Sequence, residues 1–284
     1  MQRAEALMEI IHDRGKRGLP LERLYRHLFS PELYLRAYGK IYRNDGAMTP
    51  GSTDETVDGM SLKKIQAIID ALRFERYRWT PVRRMYIDKK GSPGKRRPLG
   101  LPSWSDKLLQ EVIRSLVEAY YEPQFSDRSH GFRPGKGCHT ALAEISDSWR
   151  GTTWFIEGDI SQCFDRLDHT VLRSILAEDI HDNRFLRLID GLLQAGYLED
   201  WRYHETPEWC ATREYSEPLT LQYLPEPAGQ ICRDNPPARL QPGRSTQALS
   251  AVYADTQGSL ETGEERTAGG SAATASSVAA APLP

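Results

Sequence analysis

Residues 154–169, with the sequence WFIEGDISQCFDRLDH, carry the side chains best suited to catalysis. Asp159 closely follows an apolar run at 153–156 that predicts a buried strand. A carboxylate at the end of a buried strand loses hydration unless a cation or hydrogen bonds compensate for it. Mg²⁺ is a suitable partner because it prefers oxygen ligands and keeps substrate phosphates in its shell. The alternative is structural, with Asp165 or Asp168 capping the helix that follows.

A second candidate site is a basic hairpin, in which strands at 82–88 and 95–101 flank a Gly-Ser-Pro-Gly turn. Seven bases surround this turn: Arg83, Arg84, Lys89, Lys90, Lys95, Arg96 and Arg97. Like charges this close repel each other, so an anionic ligand is expected between them. Arg97 can hold a phosphate with two hydrogen bonds, and Lys90 can act as a point charge. The alternative is a solvated edge strand, interrupted by Pro98 and protected from aggregation by its charges.

A third candidate is the loop at 130–137, HGFRPGKG. Its glycines permit a close approach of the backbone, and His130, Arg133 and Lys136 suit a phosphate backbone. Phe132 lies between these bases and could stack on a nucleobase. Loops of glycine and basic residues are common, so this stretch alone is a weak indication of nucleic-acid binding.

Taken in order, these stretches resemble the reverse transcriptase/maturase family encoded by bacterial group II introns. Four motifs carry the resemblance: NDGAMTPG at 44–51 with Asp58-Gly59, RPLGLP at 97–102 with the WSDK helix, HGFRPG at 130–135, and FIEGDI at 155–160 with CFD at 163–165. They look like the family's N-terminal extension loop, two successive fingers motifs and the first palm motif. The resemblance runs from about residue 1 to residue 204.

The resemblance implies a role for each candidate residue. Asp159 would be the first catalytic aspartate and a Mg²⁺ ligand, with the Ile160 carbonyl beside it and Phe164 as the steric gate under the incoming sugar. Lys90 and Arg97 would hold the triphosphate. The remaining bases would contact nucleic acid: Arg83, Arg84, Lys95, Arg96, His130, Arg133 and Lys136. The implied partners are intron RNA, or an RNA template with a DNA primer, and deoxynucleoside triphosphates.

Helical and strand periodicities together indicate an α+β protein. Predicted helices lie at 4–13 (Ala6, Leu7, Ile10 and Ile11 inward), from Pro20 (Leu21, Leu24 and Leu28 on one side), after the cap Ser61 (Leu62, Ile65, Ile68, Ile69 and Leu72), over 108–117, over 140–149, over 171–176 and over 185–193. The resemblance implies an incomplete right-hand polymerase. We expect an extension at 1–60, fingers at 61–150 and the start of a palm at 151–204.

The remaining residues, 205–284, differ in composition from the rest of the chain. They contain 5 Arg, no Lys and 10 acidic residues, and Ala, Pro, Gly, Ser and Thr predominate. Too few large apolar side chains remain to offset chain entropy, so we predict a disordered tail. The four cysteines lack metal-site spacing, which favours free thiols in a reducing cytoplasm. No apolar run is long enough to predict a membrane span.

The tail also lacks what the resemblance leads one to expect after His204: an S-G-x-P-Q-G-G type motif and, later, Y-A-D-D. Residues 253–256, YADT, contain one aspartate and have no flanking apolar strand. Plausible codons for 208–218, read one nucleotide later, give S-G-A-P-Q-G-S-I-V-S. We therefore expect a reading-frame shift just after His204.

The expected protein is a catalytically incomplete portion of a reverse transcriptase. The alternatives are an RNA-binding module without polymerase activity and an unproductive translation product. The sequence does not indicate an oligomeric state.

Overall fold

The computed structural model describes residues 2–44, 46–88, 94, 96–152, 154–156, 168–205 and 280–282. The helices are α1 (Gln2–Lys16), α2 (Pro31–Ile41), α3 (Leu62–Arg73), α4 (Trp104–Tyr121), α5 (Cys138–Ser148), α6 (His169–Asp179) and α7 (Asn183–Leu193). The strands are β1 (Leu21–Glu22), β2 (Val82–Asp88), β3 (Arg96–Leu101), β4 (Trp154–Ile156), β5 (Ile180–His181), β6 (Tyr197–Glu199), β7 (Arg202–His204) and β8 (Ala280–Pro282). This mixture of helices and short strands confirms the predicted α+β class.

The chain forms two compact units, one of residues 1–123 with 164–223 and one of residues 124–163 with 224–284. These units reflect packing, whereas the expected boundaries at 60, 150 and 204 concern function. The functional boundaries therefore stay predictions.

Helix α4 is the centre of the first unit. Its predicted apolar stripe is buried throughout: Leu108, Leu109, Val112, Ile113, Leu116 and Val117. Helices α1 and α2 pack against it. The α1 contact requires Gly15, because a Cβ there would overlap the backbone carbonyl of Tyr120.

This close approach sets the rotation of α1 and corrects the predicted inward face. Ala4, Ile11 and Gly15 are buried, whereas Ala6 and Ile10 are exposed. The buried positions are spaced by seven and four residues, so they lie along one side of the helix. The sequence pattern located the helix but misplaced its contact stripe by part of a turn.

The helix predicted to begin near Pro20 is wrong. Residues 21–22 form β1, which pairs in parallel with β5, and a 3₁₀-helix follows at Leu24–Phe29. Arg23 lies between them in the left-handed region with φ 55°, which prevents a continuous helix. The α-helix begins at Pro31, at the first helical position that proline favours. Leu21, Leu24 and Leu28 are nevertheless buried as expected.

Two helix starts follow from side-chain capping. Ser61 accepts a hydrogen bond from the Lys64 amide, which confirms the predicted cap of α3, although Leu62 is exposed rather than inward. Asp182 caps α7 by accepting from the amides of Arg184 and Phe185. Its other oxygen accepts from the Tyr25 amide at 2.8 Å, so the same carboxylate joins α7 to the 3₁₀-helix.

A four-stranded sheet with the order β3-β2-β6-β7 completes the first unit. Strands β2 and β3 are antiparallel from Arg83↔Leu101 to Asp88↔Arg96, as the hairpin prediction requires. Strand β3 lies at an edge, which is where Pro98 is tolerated. Strand β6 pairs in parallel with β2, and β7 is antiparallel to β6. The β6–β7 hairpin has no counterpart in the sequence-based prediction.

The second unit contains α5 and β4, with the loop at 126–137 before them. Helix α5 confirms the predicted helix but begins two residues earlier, at Cys138. Strand β4 confirms the predicted strand, yet Trp154 is 55% exposed and so not buried as expected.

The predicted disordered tail lies outside the described residues except at Glu205 and at 280–282. Ala280–Pro282 pairs antiparallel with β4, so the disorder prediction is wrong at these three residues. The same pairing covers one edge of β4. No helix among the described residues combines the length and apolar character that a bilayer crossing requires.

Candidate nucleic-acid interface

The basic hairpin is anchored where β2 begins, by the buried carboxylate of Asp106. Asp106 accepts hydrogen bonds from the Tyr77 hydroxyl at 2.6 Å, the Thr80 amide at 3.0 Å and the Ser103 hydroxyl at 2.8 Å. Burial raises the pKa of Asp106, although these hydrogen bonds act in the opposite direction. The first turn of α4 thereby fixes the residues that lead into β2.

Within the hairpin, the structure places some of the predicted bases and not others. Arg83 and Arg84 lie on β2, and Arg96 lies on β3 with its Nε 3.4 Å from a carboxylate oxygen of Asp88. Both members of that pair are largely exposed, so it contributes little to stability. The backbone of Arg97 pairs with that of Ile87, and the structure does not describe the side chain of Arg97. Lys89, Lys90 and Lys95 also lie outside the described residues.

Arg84 is held by the neighbouring strand β6. Its guanidinium carbon lies 3.5 Å from the centre of the Tyr197 ring, and its Nη1 lies 3.7 Å from an oxygen of Glu199. The Tyr86 hydroxyl donates to the other Glu199 oxygen at 2.6 Å, and this bond raises the pKa of Tyr86. The Tyr197 ring and the Glu199 carboxylate therefore fix the orientation of the Arg84 guanidinium, whose side chain is 13% exposed.

The loop at 126–137 uses its bases differently. Arg133 is buried, and its Nη1 donates to the carbonyls of Ser126 at 2.6 Å and Ser129 at 3.0 Å. Its guanidinium also lies 5.3 Å from the centre of the Phe125 ring. The Lys136 ammonium donates to the Asp127 carbonyl. These two predicted nucleic-acid contacts thus hold the loop in shape, and their contact with nucleic acid stays a prediction.

His130 ties this loop to α5. One ring nitrogen lies 2.9 Å from the Thr140 hydroxyl, and the other lies 2.8 Å from Glu144. The predicted stacking residue Phe132 is different, since its ring is exposed and its φ is 55°. Phe132 therefore presents an exposed aromatic ring on this loop.

The predicted catalytic residues Asp159, Ile160 and Phe164 lie outside the described residues, as does Asp165. Asp168 caps α6 by accepting from the amides of Val171 and Thr170, and these bonds lower its pKa. The structural alternative is therefore confirmed for Asp168. Among the described residues, no cluster of three His, Cys, Asp or Glu side chains is placed to hold a metal ion.

Comparison with known proteins agrees with the family that the four sequence motifs predict. Residues 87–214 match the family model for reverse transcriptase (RNA-dependent DNA polymerase). The group II intron-encoded protein LtrA of Lactococcus lactis subsp. cremoris is 47% identical over 208 residues, which are 72% of this chain and 35% of LtrA. A 91 kDa protein in the cob intron of Schizosaccharomyces pombe is 44% identical over 208 residues, covering 71% of this chain and 26% of that protein.

A solved structure described as a partial Cas6-RT-Cas1–Cas2 complex aligns with a TM-score of 0.45 and 19% identity, over 74% of this chain and 34% of that chain. The matching family model defines the class, which is the reverse transcriptases. Within that class, this chain belongs to the group II intron-encoded reverse transcriptase/maturase family, as its four motifs predicted. The chain spans about a third of LtrA and about a quarter of the S. pombe protein.

Proposed function

We propose that this chain binds RNA as the extension and fingers of a group II intron reverse transcriptase, and that it does not polymerise DNA as it stands. The observation that carries the proposal is the 47% identity to LtrA over 208 residues, a stretch long enough to include the basic hairpin. The proposed ligands are intron RNA, or an RNA template with a DNA primer. Electrostatic contacts to phosphates would supply most of the affinity.

The proposed nucleotide site comprises Lys90 and Arg97 for the triphosphate, Ile160 and Phe164 beside the sugar, and Asp159 as the catalytic carboxylate. Asp159 would also be the first ligand of Mg²⁺. In two-metal polymerases, the ions stabilise the attacking and leaving oxygens of an in-line displacement, and several carboxylates are needed to hold them. The Y-A-D-D motif that would complete such a ligand set is absent from the sequence.

A reading-frame shift just after His204 would account for the presence of the four motifs before residue 204 and the absence of the later palm motifs. The proposal is supported by the recovery of S-G-A-P-Q-G when codons for 208–218 are read one nucleotide later. Sequencing the DNA through codons 200–250 and translating all three frames tests it. An uninterrupted alternative frame that encodes the missing palm motifs supports the shift, whereas stop codons in both alternative frames contradict it.

The RNA-binding proposal is tested by comparing two double variants. Lys90→Ala with Arg97→Ala removes charge from the hairpin, and Lys63→Ala with Lys64→Ala removes equal charge from α3. We expect the first pair to weaken binding of RNA or of a nucleoside triphosphate more than the second. Equal losses would mean that the hairpin is a solvated edge with no special role.

A second candidate function is a dedicated RNA-binding module that never polymerises. It is favoured by the share of LtrA that the chain matches, which is about a third. Restoring the frame distinguishes the two candidates. A polymerase fragment should gain primer extension on restoration, whereas a dedicated module should gain none.

A further inference from the structure

The β6–β7 hairpin presents aromatic and basic side chains that none of the four motifs includes. We call Tyr197, Trp201, Arg202, Tyr203 and His204 the hairpin platform. Trp201 is 85% exposed and Tyr203 is 52% exposed, while Arg202 and His204 are also exposed. Exposed rings interleaved with cations are the combination with which proteins hold single-stranded nucleic acids.

Two rings of this platform, those of Tyr197 and His204, are held in place by neighbouring side chains. Tyr197 stacks on His204 with ring centres 4.9 Å apart and planes at 13°, and it carries the Arg84 guanidinium at 3.5 Å. Because β6 lies between β2 and β7, these two partners reach Tyr197 from different neighbouring strands. A ligand that contacts this part of the platform would order few additional side chains there, and this lowers the entropic cost of binding.

Tyr203 is positioned by a glycine. A Cβ at Gly196 would come within 2.7 Å of the Tyr203 ring and hydroxyl, so the ring lies directly against the Gly196 backbone. Gly196 also has a φ of 72°, which a larger residue would adopt only with strain. The absence of a side chain at Gly196 therefore leaves room for the half-exposed Tyr203 ring.

The backbone conformation at Trp201 is unfavourable for a tryptophan. Asp200 and Trp201, with φ of 49° and 61°, form the two-residue loop between Glu199 and Arg202. Such loops favour Asn-Gly because both positions require positive φ. A tryptophan there is conformationally strained, and at 85% exposure its ring gains little from burial. Residues kept in strained conformations cluster at functional sites.

We propose that the hairpin platform binds single-stranded RNA, with a nucleobase stacked on Trp201 and a phosphate held by Arg202. The proposal rests on the proposed RNA-binding function and assigns it a specific surface. Glu199 does not oppose an anionic ligand strongly, because its carboxylate is shared between Arg84 and Tyr86. Single strands are favoured over duplexes because only unpaired bases can be splayed out and stacked on a side chain.

The experiment titrates a fluorescently labelled, unstructured RNA oligonucleotide with the full chain and follows anisotropy. The variants are Trp201→Ala, Trp201→Phe and, as the matched control, Phe74→Ala, which removes another exposed ring from the same unit. We expect Trp201→Ala to weaken binding by about 5-fold to 150-fold, the range that corresponds to loss of one base–aromatic stack. Trp201→Phe should retain most of the affinity, and Phe74→Ala should leave it unchanged.

Two further arms separate stacking from charge and from misfolding. On an oligonucleotide of abasic sites, Trp201→Ala and the unaltered chain should bind equally, because the phosphates remain and the bases do not. Trp201→Gly should relieve the strained turn and raise the Tm by a few degrees, yet still weaken RNA binding. Gained stability with lost affinity cannot result from unfolding.

The outcomes bear on the two proposals differently. If the unaltered chain binds RNA but Trp201→Ala behaves like Phe74→Ala, the hairpin platform is not the site and RNA binding survives. Equal competition by duplex RNA would likewise overturn the platform alone. If the unaltered chain binds no RNA at low salt, the proposed function fails and the platform fails with it.

Discussion

The sheet surface of the first unit and the loop at 126–137 of the second contain the same residue types and use them in opposite ways. On the sheet, Arg96 is exposed and Arg84 is 13% exposed, and their guanidinium groups lie near carboxylate oxygens of Asp88 and Glu199 respectively. In the loop, Arg133 is buried, and two backbone carbonyls accept its hydrogen bonds. Basic residues between glycines and aromatics can therefore serve as a ligand surface or as internal scaffolding, and the difference lies in their hydrogen-bond partners.

The largest effect should come from removing the scaffolding. Arg133→Ala leaves two backbone carbonyls without their donor inside the loop, and we expect a loss of about 2–4 kcal/mol in the free energy of unfolding. Urea denaturation followed by circular dichroism measures it. The control is Arg96→Ala, whose exposed ion pair should contribute less than about 1 kcal/mol. Similar losses for both variants would remove the distinction between the two regions.

A reciprocal effect should appear in RNA binding. Arg83→Ala with Arg84→Ala removes two charges from the sheet, so the slope of log K against log salt should fall by about 1.4, or about 0.7 per phosphate contact on a single strand. Circular dichroism checks that the variant folds, because the loss of the Arg84 contacts to Tyr197 and Glu199 also lowers stability. A normal slope in this double variant would place the phosphate contacts elsewhere on the chain.

A smaller, pH-dependent effect concerns a third base, Lys107 of α4, which is buried beside the Trp104 ring. Burial lowers the pKa of Lys107 from 10.5 to about 8. Between these values the unfolded chain binds more protons than the folded chain, so the contribution of Lys107 to stability rises with pH over that window. Below pH 8 the charged form is the one that must be buried, and the contribution is least favourable.

The test replaces Lys107 with Met and measures the free energy of unfolding at pH 7 and at pH 9.5. The stability of the variant relative to the unaltered chain should be greatest at pH 7 and should decline toward pH 9.5. A difference that is independent of pH would mean that Lys107 titrates normally in the folded state.

Local patterns predicted the elements whose packing follows from a single period. The stripe of α4 and the β2–β3 hairpin are the clearest examples, because helical spacing selects one buried face and turn residues separate the two strands in the sequence. The helix expected at Pro20 failed because Leu21 pairs with Ile180, a residue far along the chain. A spacing that fits a helix carries no information about such a distant strand.

The site could be predicted only in part for a similar reason. The charges of the basic hairpin are visible in the sequence, but the burial of Arg133 depends on carbonyls that only the folded loop brings together. The β6–β7 hairpin was missed because its strands have three residues each and its turn is Asp-Trp rather than Asn-Gly. His204 therefore marked only the end of the family resemblance, although it also stacks on Tyr197.

The most direct test of the central claim is RNA-templated incorporation of deoxynucleotides by three purified proteins. These are the 284-residue chain, the protein with its reading frame restored after His204, and the restored protein carrying Asp159→Ala. We expect the restored protein alone to extend a primer, because the restored frame would supply the Y-A-D-D motif, which is absent from the sequence. Incorporation by the 284-residue chain above the Asp159→Ala background would contradict the account, and would show that its own residues complete the catalytic site.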